Sequence, residues 1–392
     1  MERTIQRPQS MLAERFESDG CEVRAQRLEE FGRADIDEWL GLESHAVEGN
    51  CFLSPCFVLP AARHLAPASN LIVIRIWSGA PRRLIGLGVF EIQAPTRRRP
   101  LSCLVAFRTV HTFSTGLLLD KSAAAAALHG FVRYVSLPDQ PWHAVEFTDL
   151  NVSGPFGAAF MEHLEQEQCG WCEREGYRRA VLDLAAEAPV SKLTPSYKRD
   201  LNRLRRRLQD SGKLEFVVTR GSAMDARQIE EFLRLENLGW KGRGSSSLLA
   251  RAHHAAFFRE IVAAFAERDR AFFYHLTLDG VTIASASNFT AEDVGYAFKI
   301  GWDPRYARFS PGSLNELAFL EWLPDHRLSV RRIDSGALAG SFIERLWKDS
   351  CSMSMGYVPT SAHGRMMLSL MKRAWVARRV GSRLLRKISF QD

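Results

Sequence analysis

No stretch of about 18 uncharged apolar residues occurs in the 392 residues, so nothing in the sequence reads as a membrane-crossing helix. Met1 to Gly20 is polar and charged rather than signal-like. The cytoplasm is the expected compartment. Cysteine is sparse and odd in number. Cys21, Cys51, Cys56, Cys103, Cys169, Cys172 and Cys351 make seven, which argues against a disulfide framework and for reduced thiols. Cys169-Gly170-Trp171-Cys172 has redox-motif spacing, but it follows a helical pattern instead of opening one after a strand. No second Cys-x-x-Cys exists to complete a zinc site, and the neighbours His253 and His254 point to different sides of a helix. The expectation is no metal. Net charge is also lacking over most of the chain. His363 to Asp392 holds eight Lys/Arg and one acidic residue, while Met1 to Ala362 holds 44 basic and 44 acidic residues. The formal +7 therefore belongs to the tail, and the body gives no charge argument for nucleic acid.

What is present is an ordinary globular composition, 46% hydrophobic and 25% charged, in a chain too long for one core. The most informative stretch is Ala271 to Leu323. Ala271–Leu278 and Val281–Thr290 are strand-like runs joined by Asp279-Gly280, a strong hairpin signal. Asp293–Trp302 reads as a third strand. Ser310-Pro311-Gly312-Ser313 then leads into a helix, with Ser313 and Glu316 spaced as a capping box. A glycine loop opening a helix offers free N–H groups and a positive dipole end to a phosphate. Along the whole chain, residues 21–185 and 186–360 both read β, α, α, β, β, β, α, β, α, β. The repeat lies in element order, without evident identity, and predicts two α/β units with mixed sheets. Met1–Gly20 lacks periodicity and is expected to be a loose arm.

Six segments carry a family likeness: Asn50-Cys51-Phe52-Leu53-Ser54-Pro55, Ser196-Tyr197-Lys198-Arg199-Asp200-Leu201, Gly239-Trp240-Lys241-Gly242, Tyr306-Ala307-Arg308-Phe309-Ser310-Pro311-Gly312, Ile333-Asp334-Ser335 and Arg345-Leu346-Trp347. In this order, over roughly residues 35–359, the chain resembles the GNAT superfamily of N-acetyltransferases. It is most similar to the double-GNAT proteins associated with cellulose or exopolysaccharide biosynthesis, and more distantly to Fem-type aminoacyltransferases. The resemblance implies tandem GNAT-like domains. Residues 21–185 would shape the acceptor cleft or serve structure, and residues 186–360 would bind acetyl-CoA or another acyl-CoA. The family's pyrophosphate signature, Gln/Arg-x-x-Gly-x-Gly/Ala, is incomplete here: Arg308-Phe309-Ser310-Pro311-Gly312-Ser313 keeps one basic residue and one glycine. The equivalent segment of the first unit, Thr109–Asp120, offers only Gly116.

The implied chemistry needs a polarised thioester carbonyl, a base for the attacking amine or hydroxyl, and an acid for the leaving thiolate. Asp334, at the end of the fifth strand of the second unit, and Glu236, one turn before the Trp240-Lys241 loop, are the favoured bases among Glu236, Asp334, Glu344, His275 and Tyr296. Each serves equally well as a cap or ion-pair partner. Tyr296 and Tyr306 are candidate phenols for the thiolate. Trp240, Lys241, Tyr306 and Trp347 are candidates for the acceptor side. Lys198, Arg199, Arg203, Arg205, Arg206 and Arg207 make a basic helix that reads as a solvated face or as a contact for coenzyme phosphates, an acidic acceptor or RNA.

The segment 361–392 is periodic, with Met366, Met367, Leu370, Met371, Ala374, Leu384, Leu385 and Ile388 on one side and basic residues opposite. It is expected either to dock on the body or to lie on an anionic membrane surface. The expected function is transfer of an acyl group to a sugar or envelope-related small-molecule or glycan acceptor, without a nucleic-acid partner. The alternatives are a Fem-like transferase that uses aminoacyl-tRNA and an inert scaffold tethered by its tail.

Overall fold

The computed structural model describes residues 15–18, 20–97, 99–185, 189–238, 244, 246–326 and 328–388, without the side chains of residues 69, 189 and 376–388. The Asp279-Gly280 hairpin forms as its sequence predicts: both residues have positive φ, 50° and 76°, which matches the right-handed twist of the flanking strands. In chain order the N-terminal half comprises β1 (Arg15–Ser18), β2 (Cys21–Arg27), α1 (Arg33–Glu43), α2 (Pro55–His64), β3 (Leu71–Ser78), β4 (Arg83–Gln93), β5 (Cys103–Ala106), β6 (Leu118–Leu119), α3 (Ala124–Val135), β7 (Ala144–Asn151), α4 (Pro155–Gln166) and β8 (Cys172–Asp183). The C-terminal half comprises α5 (Pro195–Gln209), β9 (Leu214–Arg220), α6 (Ala226–Leu238), α7 (Ala252–Ala266), β10 (Ala271–Leu278), β11 (Val281–Ala291), β12 (Val294–Trp302), α8 (Pro311–Trp322), β13 (Arg332–Asp334), β14 (Asp349–Pro359) and α9 (Ala362–Ile388).

The order of elements follows the sequence reading, with two differences. Residues 15–18, expected in a loose arm, form β1, which pairs antiparallel with β2 from Arg15 opposite Arg24 to Ser18 opposite Cys21. Its half-exposed, polar pattern hid it, because an edge strand with no buried face shows no hydrophobic alternation. The expected third strand around Leu101 is interrupted. β5 ends at Ala106, and the chain returns as β6, pairing with β4 only at Leu118 and Leu119.

Among the described residues, fourteen strands join in one sheet, ordered β1-β2-β3-β4-β5-β7-β14-β8-β13-β12-β11-β10-β9, with β6 beside β4. Pairing is antiparallel except for β5 with β7 and β12 with β13. The last strand of each half lies within the other half's order. β8 pairs with β13, and β14 pairs with β7. The two halves are thereby stitched through β14 and β8, whose register runs from Asp349 opposite Val181 to Tyr357 opposite Cys172.

The three largest cores among the described residues lie on the faces of this sheet. One is shared: α1 and α2 pack against α6 and α7, with Phe57 edge-on to Phe257 at 5.3 Å and Phe52 edge-on to Tyr296 at 5.2 Å. A second lies under α3 and α4, a third under α5 and α8. The shared core carries a buried ion pair between the halves. Arg270 meets the Glu43 carboxylate, whose other oxygen accepts from Ser54 Oγ at 2.9 Å.

The first turns of α9 dock on the body, through a stripe that shares Met371 with the expected one but is centred elsewhere. Leu368 and Met371 are buried and Trp375 stacks on Tyr357 at 6.0 Å, beside Leu101, Cys103 and Ala144. Met366 and Leu370, on the apolar side read from the sequence, are 55% and 52% exposed. Leu384, Leu385 and Ile388 fall where side chains are not described. The reason for the difference is the close approach at Gly364, where an added Cβ would lie 1.9 Å from the His143 carbonyl oxygen. That contact sets which face of the helix turns inward.

Candidate active site

The parallel pair β12–β13 is short. Val294, Gly295 and Tyr296 face Arg332, Ile333 and Asp334, and there the pairing stops. β12 runs on to Trp302, while the other chain turns away at Ser335-Gly336. A bulge at Phe298, between Ala297 and Lys299, bends β12 at the point of divergence. Gly336 has φ 61°, and a Cβ there would lie 2.9 Å from the Ala297 carbonyl oxygen and 2.7 Å from the Phe113 ring, so only glycine fits this close passage. Phe113 comes from the N-terminal half. The irregular segment between β5 and β6 reaches across, and Phe113 packs on Phe298 at 5.7 Å with the Lys299 ammonium 5.2 Å from its ring. Beside it, His111 Nε2 lies 3.1 Å from His254 Nδ1, and its ring stacks on Phe257 at 5.5 Å. Burial lowers the His111 pKa to about 2, with Lys299 and His254 acting in the same direction, so this imidazole stays neutral.

At the far end of β12, Asp303 caps the turn Pro304–Phe309 by accepting from the Arg305 N–H at 2.9 Å. Ser310 follows with φ 53°, and α8 starts at Pro311. This start differs from the expected capping box. Ser310, not Ser313, is the N-cap, and its side chain makes no capping bond. Glu316 is buried in the third core, accepting from the Tyr274 hydroxyl at 2.7 Å. Since proline has no N–H, Gly312 and Ser313 carry the N–H groups of the open first turn. A Cβ on Gly312 would meet Ile300 and Trp302 only at ordinary contact distance, 3.5 Å. Arg308 and Ser310 are exposed, and α5 runs alongside with Arg199, Arg203, Arg206 and Arg207 exposed and Arg205 paired to Glu321 of α8. Arg345 places its guanidinium 4.1 Å over the Tyr197 ring of α5.

The structure divides the sequence candidates into two groups. Tyr296 and Asp334 are register partners at the point of divergence. Glu236, Tyr306, Arg308, Ser310, Pro311, Gly312 and Ser313 gather at the other end of β12. Five residues of strand separate Tyr296 from Gly301, roughly 17 Å. Glu236 belongs to the second group because α6 lies directly over Gly301, where a Cβ would come 2.7 Å from the Glu236 backbone. Its carboxylate is buried and accepts from the Leu248 N–H at 2.9 Å. Trp240 and Lys241 lie outside the described residues. Trp347, expected on an acceptor wall, is instead 1% exposed in the core with Leu346 and Ile343. Its neighbour Arg345 carries the exposed surface of that turn. Tyr296 is fully committed: its hydroxyl donates to the Gly49 carbonyl at 2.7 Å, and burial pushes its pKa well above the usual value. It also borders a polar cavity of about 10 Å³ with Glu48, Asn50, Ser114, Thr115 and Asn151, room for a single water.

Asp334 is held in a buried network. Its Oδ1 accepts from the Gly336 N–H at 2.8 Å and its Oδ2 lies 3.5 Å from Arg179 Nη1. Arg179, 2% exposed, also meets Asp149 at 3.4 Å, the Tyr177 hydroxyl at 2.6 Å and the Phe113 carbonyl. Asp149 lies two residues before the end of β7 and Asp334 ends β13, so one guanidinium joins carboxylates from strands of both halves. Sequence reasoning missed Arg179, His111, Lys299 and Phe113. Their partners lie tens to hundreds of residues away, and no local spacing announces them.

Glu316 supplies a pH test. Burial raises its pKa to about 7, opposed by the Tyr274 hydrogen bond. A raised acid pKa means that the folded state holds a proton the unfolded state releases. Its contribution to stability is full below about pH 4.5 and is lost as pH rises through about 7. Glu316→Gln is expected to flatten this slope and to stabilise the protein at pH 8 by on the order of 2 kcal/mol. Urea unfolding at pH 5 and pH 8 measures it, and parallel curves for the two proteins would refute it.

Residues 195–342 match the family model for the acetyltransferase (GNAT) domain. A sequence search of curated proteins found no match. Among solved structures, FemX is similar with a TM-score of 0.56 at 11% identity, covering 85% of this chain and 98% of that one. The C-terminal domain (DUF2156) of a putative lysylphosphatidylglycerol synthetase from Agrobacterium fabrum is similar with a TM-score of 0.52 at 12% identity, over 87% of this chain and 96% of that one. L-PGS from Bacillus licheniformis is similar with a TM-score of 0.50 at 11% identity, over 87% and 96%. At these identities the likeness is one of fold. The chain thus has a GNAT-type acyltransferase fold in two stitched halves, and its residues 195–342 are the part that matches the GNAT acetyltransferase domain.

Proposed function

We propose that the C-terminal half takes an acyl-CoA along β12 and transfers its acyl group to an amine or hydroxyl of a sugar or envelope-related acceptor. The observation that carries this reading is the alignment, on one strand, of a diverging parallel pair at one end and an uncapped helix N-terminus at the other, inside the segment that matches the GNAT model. The donor's diphosphate fits the Gly312 and Ser313 N–H groups: the bare Gly312 backbone admits close approach, and Arg308 with the exposed arginines of α5 supplies positive charge. Its thioester supplies an activated acyl carbon. Backbone N–H groups freed where β12 leaves β13 polarise the carbonyl, and Asp334, which ends β13 at that same divergence, accepts the proton of the attacking group. The acyl–sulfur bond breaks as the acyl–nitrogen or acyl–oxygen bond forms, and the thiolate takes up a proton.

A role in polysaccharide biosynthesis, by likeness to the double-GNAT proteins, and a cytoplasmic location at the inner membrane face complete the reading. No helix among the described residues is long and apolar enough to cross a membrane, and the exposed Met366 and Leu370 beside the basic residues of α9 suit a peripheral contact. Acetyl-CoA at 100 times its dissociation constant is expected to stabilise the protein by about 2.7 kcal/mol, read as a thermal shift. No shift at millimolar concentration would remove the proposal. Gly312→Val is expected to weaken acetyl-CoA binding about tenfold or more, because its methyl groups crowd Ile300 and Trp302 and displace the first turn of α8 from the diphosphate. Unchanged affinity would move the diphosphate elsewhere. The exposed arginines of α5 support a second reading, an aminoacyl-tRNA-dependent transferase. Steeply salt-dependent tRNA binding without any acetyl-CoA shift would favour it.

A further inference from the structure

Away from the cleft, on the face of the sheet covered by α3 and α4, three potential metal ligands converge. His129 comes from α3, His163 from α4, and Glu167 from the C-terminal cap of α4. One ligand atom from each lies within 4.8 Å of the others. His163 and Glu167 are four residues apart, one turn along the same helical face, and His129 reaches them from the neighbouring helix, its ring 6.1 Å from that of His163. His129 Nδ1 and Glu167 Oε1 are 3.0 Å apart. A tetrahedral edge built on zinc bonds of about 2.0–2.1 Å is roughly 3.4 Å, so this pair already stands near coordination distance. Small side-chain rotations close the remainder.

The independent sign of a ligand is His163. It is 8% exposed, and its Nε2 is buried without a hydrogen-bond partner. A buried imidazole nitrogen normally finds a partner, because leaving it bare costs about 1–3 kcal/mol. His129 and Glu167 are about one third exposed, which leaves a fourth position open to water.

We propose that His129, His163 and Glu167 bind one Zn²⁺ ion in a His₂Glu site that clamps α3 to α4. Two imidazoles and a carboxylate suit zinc, and three protein ligands with one open position are a common zinc arrangement. The proton held between His129 Nδ1 and Glu167 Oε1 leaves as the metal takes its place, so affinity falls as pH falls. The site stands apart from β12 and α8 and does not depend on the transferase reading.

The test uses the full-length, tag-free chain dialysed against EDTA and titrated with ZnCl₂ calorimetrically at pH 7.5. Binding of one equivalent is expected at micromolar concentration, with a rise in melting temperature. His129→Asn and Glu167→Gln, both at half-exposed positions, are each expected to weaken it by about tenfold or more, while His254→Asn leaves it unchanged. Co²⁺ in place of Zn²⁺ is expected to give visible ligand-field bands that both variants lose. Absence of binding at 100 µM ZnCl₂, or binding and Co²⁺ bands that persist in both variants, would overturn the proposal.

Discussion

Arg179→Met is expected to cost about 3–5 kcal/mol of unfolding free energy at pH 7.5, the range found when one partner of a buried ion pair is removed. The substitution keeps most of the side-chain volume, so the loss does not come from a cavity. It comes from leaving Asp149 and Asp334 facing each other without the guanidinium, and from releasing the Tyr177 hydroxyl and the Phe113 carbonyl. Denaturant unfolding at pH 7.5 measures it. A cost below about 1 kcal/mol at pH 7.5 would show that the network contributes little. Because Arg179 sits on β8 and joins strands of both halves, the variant also tests whether the halves unfold as one unit. Two resolved transitions in the variant and one in the parent are the expected pattern.

Asp334→Asn is expected to lower kcat by about 10²- to 10⁴-fold, the usual yield of a positioned general base, in an assay of free thiol released from acetyl-CoA with an accepted amine or hydroxyl substrate. Asparagine retains an oxygen for the Gly336 N–H, so the affinity for acetyl-CoA should change little. That separation of kcat from donor binding distinguishes proton transfer from simple support of the Ser335-Gly336 turn. Glu236→Gln provides the contrast. Glu236 lies over Gly301, roughly 17 Å along β12 from the divergence, and accepts from the Leu248 N–H, so its substitution should act on stability and leave kcat within about threefold of the parent. If Asp334→Asn retains more than about one tenth of parent activity, the base lies elsewhere, and the His111–His254 pair beside Lys299 becomes the next residue set to vary.

Parts of this site were legible because their information is local. The Asp279-Gly280 turn, the apolar-rich runs of β10 to β12 and the Ser-Pro-Gly helix start are each specified within a few residues, and each forms close to its expected bounds. The helix start was read one turn out of register in its cap. Ser313 and Glu316 have the right spacing, but Pro311 at the first helical position fixes the start earlier, and the Tyr274 hydroxyl draws Glu316 inward. Trp347 shows the same limit: a tryptophan after an arginine reads as a pocket wall or as core, and only the packing under α8 decides for core.

The sequence by itself determined the two-fold repetition of element order, the neutrality of the body against the basic tail, and the strand–loop–helix frame of β12 and α8. These depend on periodicity, turn chemistry and counting. The tertiary structure alone decided that β8 and β14 trade places between the halves, that Phe113 and His111 cross into the second half beside β12, and that His129, His163 and Glu167 meet between α3 and α4. The physical reason is the same in each case. Strand pairing and side-chain contact between segments 30 to more than 150 residues apart are selected by the total burial and charge pairing of the folded chain, and that sum has no local signature.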